Sequence, residues 1–351
     1  MSINQIQIGD RLVGPGAPVF VIAEAGVNHN GDLNLALDLV AAAFDAGADA
    51  VKFQSFVADE LVSSSAPKAD YQLATTDAAE SQYDMIKRLE LSIESHEAIR
   101  DRCAAVGIQF LSTPFDRSSA DLLQQLGVPA FKVSSGDLND WPLLEHLARF
   151  RKPIILSTGM SYLDEVIASL EVIRAAGNTE VIALHCVSNY PAAAADANLR
   201  AMETMAAELQ VPVGFSDHTE GSTVTLAAVA LGACVIEKHL TLDRNLPGPD
   251  HRASLAPDEF KALVAEIRKT ESSLGSGVKE PAASEANTRS VARRSLVAAT
   301  ALAAGTVLQA EMLCEKRPGT GIPPSSASEV IGKKLARKLE PNEMILWGDL
   351  S

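Results

Sequence analysis

Eight short, strand-like apolar runs recur along most of the chain, and this recurrence constrains the fold more than any other feature. They lie near Val19–Gly26, Ala50–Phe56, Ile108–Phe115, Ala130–Gly136, Pro153–Gly159, Val181–Ser188, Val211–Asp217 and Cys234–Thr241. Between them lie stretches with apolar residues at helical spacing, such as Leu33–Ala46, Ser161–Ala176 and Pro257–Leu274. Strands that read as unbroken apolar runs are buried on both faces, as in parallel sheets covered by helices. Eight such β/α units predict a closed (β/α)8 TIM barrel. An open doubly wound sheet uses the same units and is the alternative. No Gly-x-Gly-x-x-Gly follows the first strand, which weakens a dinucleotide-binding reading.

The spacing predicts a barrel domain over residues 1–274, opening with a hairpin within 1–18. That hairpin, Ile6–Val13, turns at Gly9-Asp10 and would plug the bottom of the barrel. The connection from Val57 to Gly107 is long. It holds Asp70–Thr75 and a helical pattern from Ser81, and is expected to wall the active site. Residues 275–289 read as a linker, richest in Gly, Ser, Pro and Glu over Gly275–Ala286. Residues 290–351 read as a small β-rich domain with strands at Arg294–Ala298, Thr306–Leu308, Leu313–Lys316, Lys338–Leu339 and Met344–Leu346.

Formal net charge is −15, which argues against nucleic acid and anionic membranes as partners. An anionic substrate then needs a locally basic pocket built against that field. No apolar run is long enough to span a bilayer, and the N-terminal residues show no leader-like pattern. Cys103, Cys186, Cys234 and Cys314 form no Cys-x-x-Cys pair. Together these features predict a cytoplasmic protein with reduced thiols.

In a barrel, chemistry gathers at the carboxyl ends of the strands, and here those ends are polar. Lys52 and Gln54 are two apart on strand two and so share a face; Lys132 lies on strand four. A buried lysine requires an anionic partner. Two of them among Ser- and Gly-rich turns predict a phosphate and carboxylate site, the alternative being ion pairs with barrel carboxylates. His218 and His239 end adjacent strands, which lie about 4.8 Å apart, so both imidazoles can reach one divalent ion. Glu237 shares a face with His239 as a third ligand or a partner of the ligands. A structural role is the alternative for each histidine.

The motifs Ala23-Glu24-Ala25-Gly26-Val27-Asn28-His29-Asn30-Gly31, Val51-Lys52-Phe53-Gln54, Ser112-Thr113-Pro114-Phe115-Asp116, Ser157-Thr158-Gly159-Met160, Gly214-Phe215-Ser216-Asp217-His218 and Glu237-Lys238-His239 resemble the signatures of the sialic acid synthases. Gly248-Pro249-Asp250-His251 and Lys316-Arg317-Pro318-Gly319-Thr320-Gly321-Ile322 extend the resemblance over essentially the whole chain. It implies a barrel followed by an antifreeze-like (SAF, β-clip) domain, in a homodimer whose small domains each cover the partner's barrel. It implies a divalent metal held by His218 and His239, Mn2+ first, with Mg2+ or Co2+ as alternatives. Lys52, Lys132, Ser135, Ser157 and Ser216 match positions that bind phosphoenolpyruvate. Gln54, Tyr190 and Asp250 match sugar-binding positions, and Arg317 matches the arginine that reaches the N-acyl group. Asp137 and Ser188 stand at sugar-facing positions where the family's N-acetylneuraminate synthases often carry other residues.

The activity implied is condensation of phosphoenolpyruvate with open-chain N-acetylmannosamine and water, giving N-acetylneuraminate and phosphate. Legionaminic acid synthases, which take a 6-deoxy diacetamido sugar, share the first motif and are the alternative. The methylene carbon of phosphoenolpyruvate attacks the aldehyde, water adds at the carbon bearing the phosphate, and phosphate leaves. Lys52 and Lys132 hold the anion in register. Glu24 is the candidate for handling the water's protons, or else an ion-pair partner of one lysine. A metal-dependent aldolase acting on sugar phosphates would call for a second basic cluster. A non-catalytic sugar-binding protein would need neither the strand lysines nor the paired histidines.

Overall fold

The computed structural model describes all residues except Met1, Ser2, Ser64, Ser65, Asp70, Tyr71, Ala74, Thr75 and Ala78. Of the Asp70–Thr75 stretch only Gln72 and Leu73 are therefore described. The chain divides into two compact units, Met1–Gly275 and Ser276–Ser351.

The first unit opens with a hairpin, β1 (Ile6–Ile8) and β2 (Arg11–Val13), in which Ile6 pairs with Val13. Eight parallel strands follow: β3 (Phe20–Gly26), β4 (Ala50–Ser55), β5 (Gln109–Pro114), β6 (Phe131–Val133), β7 (Ile154–Ser157), β8 (Val181–Cys186), β9 (Val213–Asp217) and β10 (Val235–His239). Each matches one of the eight apolar runs. The ladder runs β5-β4-β3-β10-β9-β8-β7-β6, and β5 and β6, at its two ends, lie against each other and close the ring. This is the barrel, not the open sheet.

Alternation along the strands separates two layers. Outward residues such as Val21, Val51, Phe131, Phe215 and Ile236 pack with the surrounding helices, among them Leu33–Asp45, Leu163–Ala175 and Pro257–Leu274. Inward residues at the strand starts form a second core: Phe20, Ile22, Ala50, Leu111, Ile155, Ile182 and Val235. Ile6, Ile8 and Val13 of the hairpin join that inner core and plug the barrel's amino end. The inner face is thus apolar at the bottom, and only its upper layer is free to be polar.

The Val57–Gly107 connection holds helices Gln82–Arg88 and Ile93–Val106, each capped by a serine side chain, Ser81 and Ser92. Val27, Phe56, Met85 and Leu89 form a small apolar cluster of their own on this side, flanked by Leu61, Ile86 and Phe115.

In the second unit β11 (Ser295–Ala298) pairs antiparallel with β12 (Leu313–Lys316). The expected strands near Thr306, Lys338 and Met344 are isolated bridges: Val307 to Lys334, Leu302 to Leu339 and Val297 to Met344. Part of the expected linker is ordered, as a 3-10 turn, Ala283–Glu285, and a helix, Ala286–Ala292. Leu296, Leu308, Ile322, Val330, Leu339 and Ile345 form this unit's own core.

Candidate active site

The upper inner layer follows directly from the alternation. Counting by twos from the apolar floor gives Phe20-Ile22-Glu24, Ala50-Lys52-Gln54, Leu111-Thr113, Ala130-Lys132, Ile155-Ser157, Leu184-Cys186, Gly214-Ser216 and Val235-Glu237-His239. The last one or two members of every series line one cavity of about 400 Å³ at the carboxyl end of the barrel.

Four buried charges form its base. Lys52 Nζ lies 2.6 Å from Glu24 Oε2 and 3.7 Å from Glu237 Oε2, and Lys132 Nζ lies 3.5 Å from Glu237 Oε1. Lys52 also donates to Thr113 Oγ1 (3.1 Å), Lys132 to Ser157 Oγ (2.8 Å), and Ser216 Oγ to Glu237 Oε1 (2.8 Å). Burial alone would push the Glu237 carboxyl up, but Lys132, Lys52 and the Ser216 hydroxyl outweigh it and hold it at about 2. Burial likewise opposes the charge on Lys52, and the carboxylates of Glu237 and Glu24 reverse this, raising its pKa. Lys132 is lowered by burial, which the Glu237 carboxylate only partly offsets. Glu24 is raised by burial in spite of Lys52, so it is suited to carry a proton. Glu24 Oε2 and Glu237 Oε2 make no hydrogen bond; their contacts with Lys52 are ion pairs without hydrogen-bond geometry.

The histidines stand on the neighbouring wall with ring centroids 5.5 Å apart. His218 Nδ1 donates to the Val187 carbonyl (2.7 Å), which leaves its Nε2 as the acceptor. His239 Nδ1 is buried without a hydrogen-bond partner. Burial lowers the pKa of both, so both are neutral imidazoles with ligating lone pairs. Among the described residues no group of three or more His, Cys, Asp or Glu side chains stands ready to hold a metal. Glu237 is engaged by the lysines and Ser216. The residues that could hold a divalent ion here are the two imidazoles of His218 and His239.

Of the other residues singled out from sequence, Gln54, Ser135, Ser157, Ser188, Tyr190, Ser216 and Asp250 all line this cavity. Gln54 Nε2 donates to Glu24 Oε1 (3.2 Å). Ser135 Oγ accepts from the Gly159 N–H (2.9 Å) and lies 3.1 Å from Cys186 Sγ. A Cβ on Gly159 would stand 2.4 Å from Ser188 Oγ and 3.0 Å from Ser135 Oγ, so the close approach requires glycine. The Tyr190 ring lies tilted against His218 and edge-on to His239, at 4.2 and 5.7 Å between centroids. Burial and the neighbouring Glu24 raise the Asp250 carboxyl to about 7. Asp137 stands apart: it does not line the cavity, and its carboxylate accepts from Ser134 Oγ (2.6 Å). Arg317 belongs to the second unit, where it is exposed just after β12.

Two parts of the lining were not singled out from sequence. Cys186 follows from the alternation of β8, two residues beyond inward Leu184. The long Val57–Gly107 connection supplies Leu61, Met85, Ile86 and Leu89 to the wall, as expected; that these join Phe56 and Phe115 in one apolar face carries no local signal, because the face assembles from separate segments.

A parallel barrel with opposed lysines, a protonatable carboxyl and paired neutral histidines at its carboxyl mouth defines a barrel enzyme for an anionic substrate. The comparisons narrow this further. Residues 39–279 match the NeuB family and residues 293–351 match the SAF domain. The chain is 48% identical to the N,N'-diacetyllegionaminic acid synthase of Legionella pneumophila, over 99% of each chain. It is 46% identical to the enzyme of that name from Campylobacter jejuni, over 93% of this chain and 98% of the relative. The crystal structure of N-acetylneuraminic acid (sialic acid) synthetase from Leptospira borgpetersenii superimposes with a TM-score of 0.71 at 36% identity, covering 82% of this chain and 95% of the other. The chain belongs to the NeuB family and is a phosphoenolpyruvate-dependent transferase that forms a carbon–carbon bond. Among the described residues no helix is long and apolar enough to cross a membrane.

Proposed function

We propose that the protein condenses phosphoenolpyruvate with an open-chain, 6-deoxy diacetamido sugar, 2,4-diacetamido-2,4,6-trideoxymannose, to give N,N'-diacetyllegionaminic acid and phosphate. The observation that carries the condensation is the pair Lys52 and Lys132 converging on one cavity beside His218 and His239. The lysines, with Ser135, Ser157 and Ser216, bind phosphate and carboxylate and align the methylene carbon for attack. Glu24, raised by burial, takes a proton from the water that adds at the phosphate-bearing carbon and returns one as phosphate leaves. His218 and His239 would hold a divalent ion, Mn2+ first, which when bound would supply Lewis acidity for the aldehyde. Gln54, Tyr190, Ser188 and Asp250 orient the sugar.

The choice of acceptor rests on the apolar wall together with the names of the two relatives. A deoxy C6 and two acetamido methyls offer apolar surface to such a wall, whereas N-acetylmannosamine offers a C6 hydroxyl that would lose hydrogen bonds there. The test is phosphate release from phosphoenolpyruvate with each acceptor. A kcat/KM at least tenfold higher for the diacetamido sugar is expected; equal values or a preference for N-acetylmannosamine would reverse the assignment.

The sequence resemblance also supports a homodimer in which Arg317 of one subunit reaches the sugar's N-acyl group in the other's barrel. Mixing inactive His218→Ala and Arg317→Ala proteins under subunit exchange then restores part of the activity. Verified mixed dimers without recovery would exclude action in trans.

A further inference from the structure

Behind the two histidines, on the other face of the same two strands, lies a second buried charge pair that the proposed chemistry does not use. Alternation sends Val213 and Phe215 of β9, and Ile236 of β10, into the apolar layer beneath the helices. The next outward positions are Asp217 and Lys238. The ladder sets them side by side, and Lys238 Nζ lies 2.8 Å from Asp217 Oδ2 with side-chain exposures of 2% and 0%. Lys238 also donates to the Thr219 carbonyl (2.8 Å). Asp217 Oδ1 accepts from the Thr219 N–H and hydroxyl, both at 2.8 Å, and its Oδ2 accepts from Thr225 in the following helix, Thr223–Ala230. Asp217 thus has four donors, and the network is closed.

Stability alone is a poor reason for this pair, because a buried ion pair is often replaced by apolar residues without loss. Its placement supplies a better one. Asp217 and Thr219 are the residues on either side of His218, and Lys238 immediately precedes His239. The network therefore clamps the backbone on both sides of one imidazole and ties it to the residue before the other. Apolar contacts tolerate small slips that directional bonds between strand neighbours do not.

We propose that Asp217 and Lys238, with Thr225, are positioning residues that fix the spacing of His218 and His239 and so set the affinity for a divalent ion. This rests on the reading of those histidines as ligands. The test is titration of the metal-free full chain with Mn2+, following the free ion by electron paramagnetic resonance, with thermal melting of each metal-free variant alongside. Wild type is expected to bind one Mn2+ and His218→Ala to lose it. The double variant Asp217→Val/Lys238→Met, which leaves no unpaired charge, is expected to melt near wild type yet bind Mn2+ about 10- to 100-fold more weakly. Thr225→Val, which removes a single donor, is expected to weaken binding about threefold, and Thr225→Ser to restore it. Should the double variant fail to fold, the Thr225 pair decides alone. Wild-type affinity in a folded double variant, or in Thr225→Val, would overturn the positioning role while leaving the ligands in place. Undiminished binding by His218→Ala would instead overturn the ligand reading.

Discussion

The two faces of β9 and β10 carry buried charges of very different kinds. On the outer face Asp217 has four donors and Lys238 two acceptors. On the inner face Glu237 shares Lys52 with Glu24 and also pairs with Lys132, both carboxylates keep an oxygen without a hydrogen bond, and His239 Nδ1 has no hydrogen-bond partner. A closed network is complete in itself and serves as scaffold. An open one, facing a cavity, holds its polar groups ready for something that arrives. For these two charge pairs, burial and charge alike do not separate scaffold from site; the state of satisfaction does.

The most severe way to probe the inner face is to remove a histidine. His218→Ala or His239→Ala is expected to abolish phosphate release while shifting thermal stability little, since strand-end side chains lie above the barrel core. Full turnover after exhaustive chelation would contradict a metal role. Lys132→Met comes next. A hydrogen bond to a charged group contributes about 1.5–3 kcal/mol, so kcat/KM for phosphoenolpyruvate should fall about 10- to 100-fold. Unchanged kinetics would make Lys132 as structural as Lys238.

Asp250 gives the inner face a pH signature. Its carboxyl is raised from 3.8 to about 7 in the fold, so the folded state holds a proton that the unfolded chain has released. The stability this contributes is complete below about pH 4 and is lost as pH rises through about 7. Melting temperature of the metal-free protein should decline across that window, and Asp250→Asn should flatten the decline. An identical pH profile in the variant would show that Asp250 is ionised. A smaller effect is expected from Gly159→Ala, whose methyl group would press on Ser188 and Ser135. It should raise KM several-fold with near-native stability; wild-type kinetics would show that the turn has room to move.

Much of this was legible in the sequence, for identifiable reasons. Parallel strands buried on both faces read as continuous apolar runs, so Val181–Cys186 stands out without any motif. Lys52 and Lys132 were conspicuous because charge is rare in such runs. Asp137, singled out by resemblance, sits in the 3-10 turn Ser135–Asp137, where its carboxylate accepts from Ser134 and does not line the cavity. The Val57–Gly107 connection was legible as a wall of the site, and Leu61, Met85, Ile86 and Leu89 line the cavity; its apolar character was not, because Val27, Phe56, Met85 and Leu89 meet only through tertiary packing. The bridges of the second unit read as strands because β propensity does not distinguish one bridge from a ladder.

The central claim, that the open network gathers phosphoenolpyruvate for attack on a sugar aldehyde, is tested most directly by labelling. Phosphoenolpyruvate carrying 18O at the bridging position is turned over with the diacetamido sugar, and the phosphate is analysed by mass spectrometry. Addition of water at the phosphate-bearing carbon predicts that the label leaves with phosphate. Label retained in the sugar acid would mean cleavage at phosphorus and would contradict the roles given to Lys52, Lys132 and Glu24.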